Sequence, residues 1–125
     1  MKKIFVLLAI FSLLTVNAFA HGGNDLILHG YIIDNMCVGM HKNDLKEFTK
    51  THEKTCLLKT ACANSGYSIY TEDDGQLYKL DAASNGIVTN FLKNPENRTD
   101  VVVIAEKNGD ALSIESITNR RIVRY

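Results

Sequence analysis

Apolar and polar positions recur along this chain in two rhythms, one that fits strands and one that fits helices. Residues 26–34 are rich in Leu, Ile and Tyr and read as a β-strand. Gly30 in its interior marks a bulge or the close approach of another backbone, and His29 faces outward or finds a partner of its own. Residues 35–42 read as loop or a loosely turned segment, with Gly39 discouraging a long helix. From Asn43 or Asp44 the period lengthens: Leu45, Phe48, His52 and Cys56 recur at helical spacing, and Asp44 with Glu47 forms an approximate capping box. The pattern predicts one helix running to Asn64-Ser65-Gly66, where glycine supplies the C-terminal cap.

The period of two then returns. Residues 67–71 and 76–80 are short alternating runs around Glu72-Asp73-Asp74-Gly75, a hairpin signal. Residues 84–92 place Ile87, Val88, Phe91 and Leu92 on one helical face before Asn94-Pro95 stops the run. Val101, Val102, Val103 and Ile104 predict a strand buried on both sides within 100–107, and Asn108-Gly109 predicts a type I′ turn into a last strand over 111–117. The order β-α-ββ-α-ββ predicts an α+β, mainly β domain. Its expected form is a small five-stranded OB-like barrel with a helical insertion between strands 1 and 2 and a short helix between strands 3 and 4, the alternative being an open antiparallel sheet with one helix packed on it.

One apolar run has neither rhythm. Residues 4–14 follow Lys2 and Lys3, and Ala18-Phe19-Ala20 supplies small residues at positions −3 and −1 of a cleavage site, the pattern of a secretory signal peptide over 1–20. The run is too short to span a membrane, and no cysteine follows the cleavage point to carry a lipid anchor. The expectation is a single exported domain, 21–125, periplasmic or extracellular, without a stable membrane anchor. Cleavage also leaves His21 first, where a free amine and a ring nitrogen together chelate Cu(II); a frayed tail is the competing reading.

The whole chain carries 14 basic and 14 acidic residues, and Lys2 and Lys3 belong to the segment removed, so acids outnumber bases in the rest. The local basic excess is Arg120, Arg121 and Arg124, too little for a phosphate-backbone binder, and nucleic acid is not an expected partner. There is no CxxC or CxxCH motif and no glycine-rich phosphate loop.

Chemistry concentrates in the insertion, 36–66. All three cysteines and two of the four histidines fall in the order Cys37, His41, His52, Cys56, Cys62, with Met36 and Met40 among them. Thiolate and thioether sulfur suit Cu(I) or zinc, and imidazole suits zinc, copper or iron, so these five residues are candidate ligands of a transition metal, with Met40 able to exchange into the set. The competing reading is a disulfide. Closing the roughly 20-residue loop from Cys37 to Cys56 stabilises a small domain by about 3 kcal/mol in the chain-entropy model, and an oxidising compartment favours it. A Cys56–Cys62 bridge needs a broken helix, because six residues of continuous helix rise about 9 Å against the 4.4–6.8 Å between Cα atoms that a disulfide accepts, roughly.

Gly30-x3-Asp34-x2-Cys37, then His52-x3-Cys56-x5-Cys62-x3-Gly66, then Asp74-Gly75-x2-Tyr78-x-Leu80, resembles uncharacterised small secreted bacterial proteins that join such an opening and a His/Cys-rich helix to a small β-barrel. The resemblance implies an extracytoplasmic OB-like domain and no particular activity.

Three functions follow as expectations: an exported binding domain holding zinc or copper through Cys37, His41, His52, Cys56 and Cys62; a disulfide-stapled scaffold or interaction domain in which Cys37 pairs with Cys56 or Cys62, with an unknown protein partner; and a thiol redox protein using the unpaired cysteine with His52 or His41 as base. An enzyme is the lesser expectation, since no orienting third residue or oxyanion loop is visible. Oligomeric state does not follow from the residues.

Overall fold

The structure, a computed structural model, describes residues 25–121. The expected signal peptide, His21 and Arg124 lie outside the described residues. The fold is α+β and mainly β. Strand β1 (Asp25–Asp34) is followed by four short helices, α1 (Asn35–Met40), α2 (Leu45–Thr51), α3 (Lys54–Leu57) and α4 (Thr60–Asn64). Then come β2 (Tyr67–Thr71), β3 (Gln76–Lys79), α5 (Ala82–Lys93), β4 (Asp100–Asn108) and β5 (Ala111–Asn119). Every pairing is antiparallel, in the order β3-β2-β1-β4-β5.

The expected barrel is not closed. Edge strands β3 and β5 approach at one parallel bridge, Leu80 to Leu112, and Asp81 N–H donates to the Leu112 carbonyl at 2.8 Å. The reason lies in β3, which has four residues against nine in β5. The chain then leaves the sheet at Asp81, whose carboxylate accepts the Ser84 N–H and caps α5.

The core lies between the sheet and α5: Leu28, Ile32, Tyr67, Ile69, Val88, Leu92, Val101, Val103 and Ile114 are buried together, with Leu57 added from α3. β4 alternates as a half-covered strand does, with Val101, Val103 and Ala105 buried and Val102 and Ile104 half-buried, so the expectation of burial on both faces is corrected. β1 is different. Its last three residues, Ile32, Ile33 and Asp34, are all buried, because α1 and α2 cover the face opposite the main core. Ile33, Cys37 and Tyr70 form a second small cluster there, against Val38, Leu45 and Phe48.

Gly30 has the expected close approach: a Cβ at this position would lie 2.2 Å from the carbonyl oxygen of Tyr70 on β2. The β4–β5 connection departs from the type I′ expectation. Gly109 has φ +63 and, among the described residues, only glycines take positive φ, so the pattern is glycine at the first central position, as in type II′.

The largest correction concerns the insertion. The single helix expected from Asn43 or Asp44 to Asn64 is three helices, interrupted by extended backbone at His52 (φ −73, ψ 119) and Glu53 and again at Lys59 (φ −59, ψ 139). In α2 the hydroxyls of Thr49 and Thr51 donate back to the carbonyls of Lys46 and Phe48, a local competition with the helical ladder. After α3, Tyr67 donates its buried hydroxyl to the Leu57 carbonyl at 2.8 Å, which fastens that turn to the sheet. A straight helix would have held His52 and Cys62 about 15 Å apart along its axis. Gly66 ends α4 with φ +81, as expected of a terminating glycine.

Candidate metal centre

The site begins with Asp34, the last residue of β1. Its extended backbone (φ −80, ψ 148) makes it the N-cap of α1, and Oδ2 accepts the Cys37 N–H at 2.9 Å. This cap turns 35–40, expected as loop, into a helix in spite of Gly39. α1 is further held by Asn35 N–H on the Gly66 carbonyl at 2.9 Å, Asn35 Nδ2 on the Ser65 carbonyl at 2.9 Å and Met36 N–H on Ser65 Oγ at 3.1 Å. The start of α1 is thereby fixed to the end of α4.

His52 enters from the break between α2 and α3, and its Nε2 lies 2.9 Å from Asp34 Oδ1. Asp34, Cys37 and His52 are all buried, at 0, 6 and 7% exposure. Among the described residues they form a group whose ligand atoms lie within 4.8 Å of one another. Zinc bonds of about 2.0–2.3 Å at tetrahedral angles put such atoms roughly 3.3–3.8 Å apart, so the triad needs little movement to close on an ion.

The electrostatics are those of a buried carboxylate among thiols. Burial works against the charge of Asp34, but its hydrogen bonds with His52 and Cys37 outweigh burial and hold the carboxyl below its ordinary range. Burial, and then the charge of Asp34, push the Cys37 thiol up to about 12. The Cys62 thiol on α4, also buried, is raised by burial first and then by the charge of Asp34. Cys37 and Cys62 therefore both answer to the same carboxylate.

The other expected ligands are placed differently. His41 caps the C-terminal end of α1, where its ring stacks on Phe48 with centroids 3.6 Å apart and its Nδ1 lies 3.1 Å from Asp44 Oδ1. Asp44 has no capping hydrogen bond to α2, and this pairing with His41 replaces it. Phe48 in turn packs on His52, centroids 4.6 Å apart, so His41 supports the site through an aromatic stack. Cys56 is half-buried on α3. Met36 and Met40 are exposed, at 42 and 65%. Sequence reasoning left out Asp34 as a ligand. The available signal was an aspartate closing an apolar strand three residues before a cysteine, the spacing of an N-cap carboxylate to the backbone N–H it accepts from.

Cys37, Cys56 and Cys62 are free thiols, with no disulfide among the described residues. A cysteine that starts a reaction with a reagent in solution is helped by a lowered pKa and by exposure, and Cys37 and Cys62 are buried and shifted the opposite way. One carboxylate oxygen, one imidazole nitrogen and one thiol sulfur, buried together, make a set suited to a borderline metal ion, which removes the thiol proton as it binds. Comparison with protein-family models, with curated proteins and with solved structures finds no match to this chain.

Proposed function

We propose that this protein is a small exported binding domain that holds one transition-metal ion, zinc, through Asp34, Cys37 and His52 from the triad and Cys62 as fourth ligand. The observation that carries the reading is the convergence of three buried groups of different chemistry from β1, α1 and the α2–α3 break. Cys62 is assigned because it is buried and feels the same carboxylate as Cys37. Four ligands of the O/N/S₂ kind satisfy zinc in a closed tetrahedral site. Copper(I) draws on sulfur and methionine, and both nearby methionines are exposed, which favours zinc.

Export rests on Lys2, Lys3, the apolar run 4–14 and Ala18-Phe19-Ala20. No helix among the described residues is long and apolar enough to cross a membrane. We further read the sheet as OB-like, a partly open five-stranded arrangement; its strand order and the bridge between its edges support this. Elemental analysis of protein purified under reducing conditions tests the function. One equivalent of zinc per chain is expected, and failure to retain or take up either zinc or Cu(I) overturns it.

A further inference from the structure

We infer that the site is under thiol–disulfide control through Cys56, an inference that rests on the zinc reading above. Cys56 is half-exposed on α3, whereas Cys37 and Cys62 are buried, so among the three thiols it is the one open to a reagent in solution. The chain between Cys56 and Cys62 is not helical throughout: α3 ends at Leu57, Lys59 is extended (φ −59, ψ 139) and α4 starts at Thr60. α3 packs on α4 across this break. The break removes the roughly 9 Å helical rise that would keep the two Cα atoms beyond disulfide range.

The reaction takes a low-molecular-weight disulfide as oxidant. The Cys56 thiolate attacks one sulfur of that disulfide, forming a mixed disulfide and releasing one thiol. Cys62 then attacks the Cys56 sulfur, forming Cys56–Cys62 and releasing the second thiol. Two electrons pass from the two cysteines to the incoming disulfide, and the two protons leave on the released thiols. The consequence for the metal is specific. Cys62 is withdrawn, and Asp34, Cys37 and His52 remain as a three-ligand site that holds its ion less tightly. Loss of an outer hydrogen-bond partner already costs 10–100-fold in affinity, so loss of a direct ligand should exceed about 100-fold.

Oxidised glutathione is the probe. Trypsin cuts after Lys54, Lys59 and Lys79, so a Cys56–Cys62 bridge joins the peptides 55–59 and 60–79. Wild-type protein should yield that linked pair, and its zinc affinity should fall by more than about 100-fold on oxidation. Cys56→Ser should keep the reduced affinity and resist the loss. A bridge mapped to Cys37, no bridge at all, or an equal loss of zinc in Cys56→Ser overturns the inference while leaving the zinc site standing. Reduced protein that binds no zinc but still forms the 55–59 to 60–79 link overturns the zinc reading instead.

Discussion

Asp34 Oδ1 stands 2.9 Å from His52 Nε2, joining the end of the first strand to a break in the helical insertion 18 positions later. The other oxygen of the same carboxylate accepts the Cys37 N–H at 2.9 Å. A single buried side chain thus starts α1, orients the imidazole and sets the charge that both buried thiols feel. Substitution of Asp34 should therefore affect stability and metal binding together.

In the metal-free protein, Asp34→Asn keeps a capping oxygen but loses the charge-assisted bond to His52, and should lower stability at pH 7 by about 1.5–3 kcal/mol in urea unfolding. The pH dependence has a definite sign. The folded carboxyl titrates below its ordinary 3.8, so its contribution is fully present above the unfolded value and is lost as pH falls through the folded one. The difference between wild type and Asp34→Asn should shrink below about pH 4. A gap that persists unchanged at pH 2 would contradict the assignment.

His52 and His41 separate in the same assay. His52→Ala should abolish measurable zinc binding. His41→Ala removes a ring stacked on Phe48, should cost about 0.5–1.5 kcal/mol of stability and should leave zinc affinity within roughly tenfold, the lower end of the loss for an outer-shell partner. Equal losses of affinity in the two variants would place His41 in the coordination shell.

Much of the fold was legible in the sequence because it follows from short-range rules. The two hairpins, α5 and the close approach at Gly30 follow period and glycine signals, with the type of the β4–β5 turn as the exception. The insertion did not, because its helical periodicity continues unbroken through His52 and Cys56 while tertiary anchors at Tyr67 and Ser65 decide where the helix stops. Of the three buried groups that converge, Cys37 and His52 were visible as candidate ligands. Asp34 was not, since a carboxylate at a strand end looks like any cap until the helix it starts is recognised, and Gly39 had argued against that helix. The open edge between β3 and β5 depended on where the chain leaves the sheet, which strand count does not reveal.

Zinc binding should depend steeply on pH. Cys37 is a thiol throughout the neutral range, raised to about 12, and Cys62 is raised as well. Each thiol proton displaced by the ion contributes about a tenfold gain in apparent affinity per pH unit, so two thiolates give roughly a hundredfold gain per unit between pH 6 and 8. Competition with a chelator of known proton dependence measures the slope. A slope near zero would mean that neither thiol is deprotonated on binding.

Gly30→Ala tests the frame that delivers Asp34. The new methyl would sit 2.2 Å from the Tyr70 carbonyl oxygen, so β1 and β2 must separate, at a cost of about 3 kcal/mol, the upper end for overpacking. Chemical denaturation should show the loss, and zinc should weaken with it because Asp34 is four residues further along the same strand.

X-ray absorption at the zinc edge examines the coordination shell itself. A first shell of two sulfurs at about 2.3 Å and two lighter atoms at about 2.0–2.2 Å is the expected result, reduced to one sulfur in Cys62→Ser and lacking its imidazole scattering in His52→Ala. A shell of oxygen and nitrogen alone, unchanged in both variants, would show that the ion binds elsewhere and that the Asp34, Cys37 and His52 cluster is not its site.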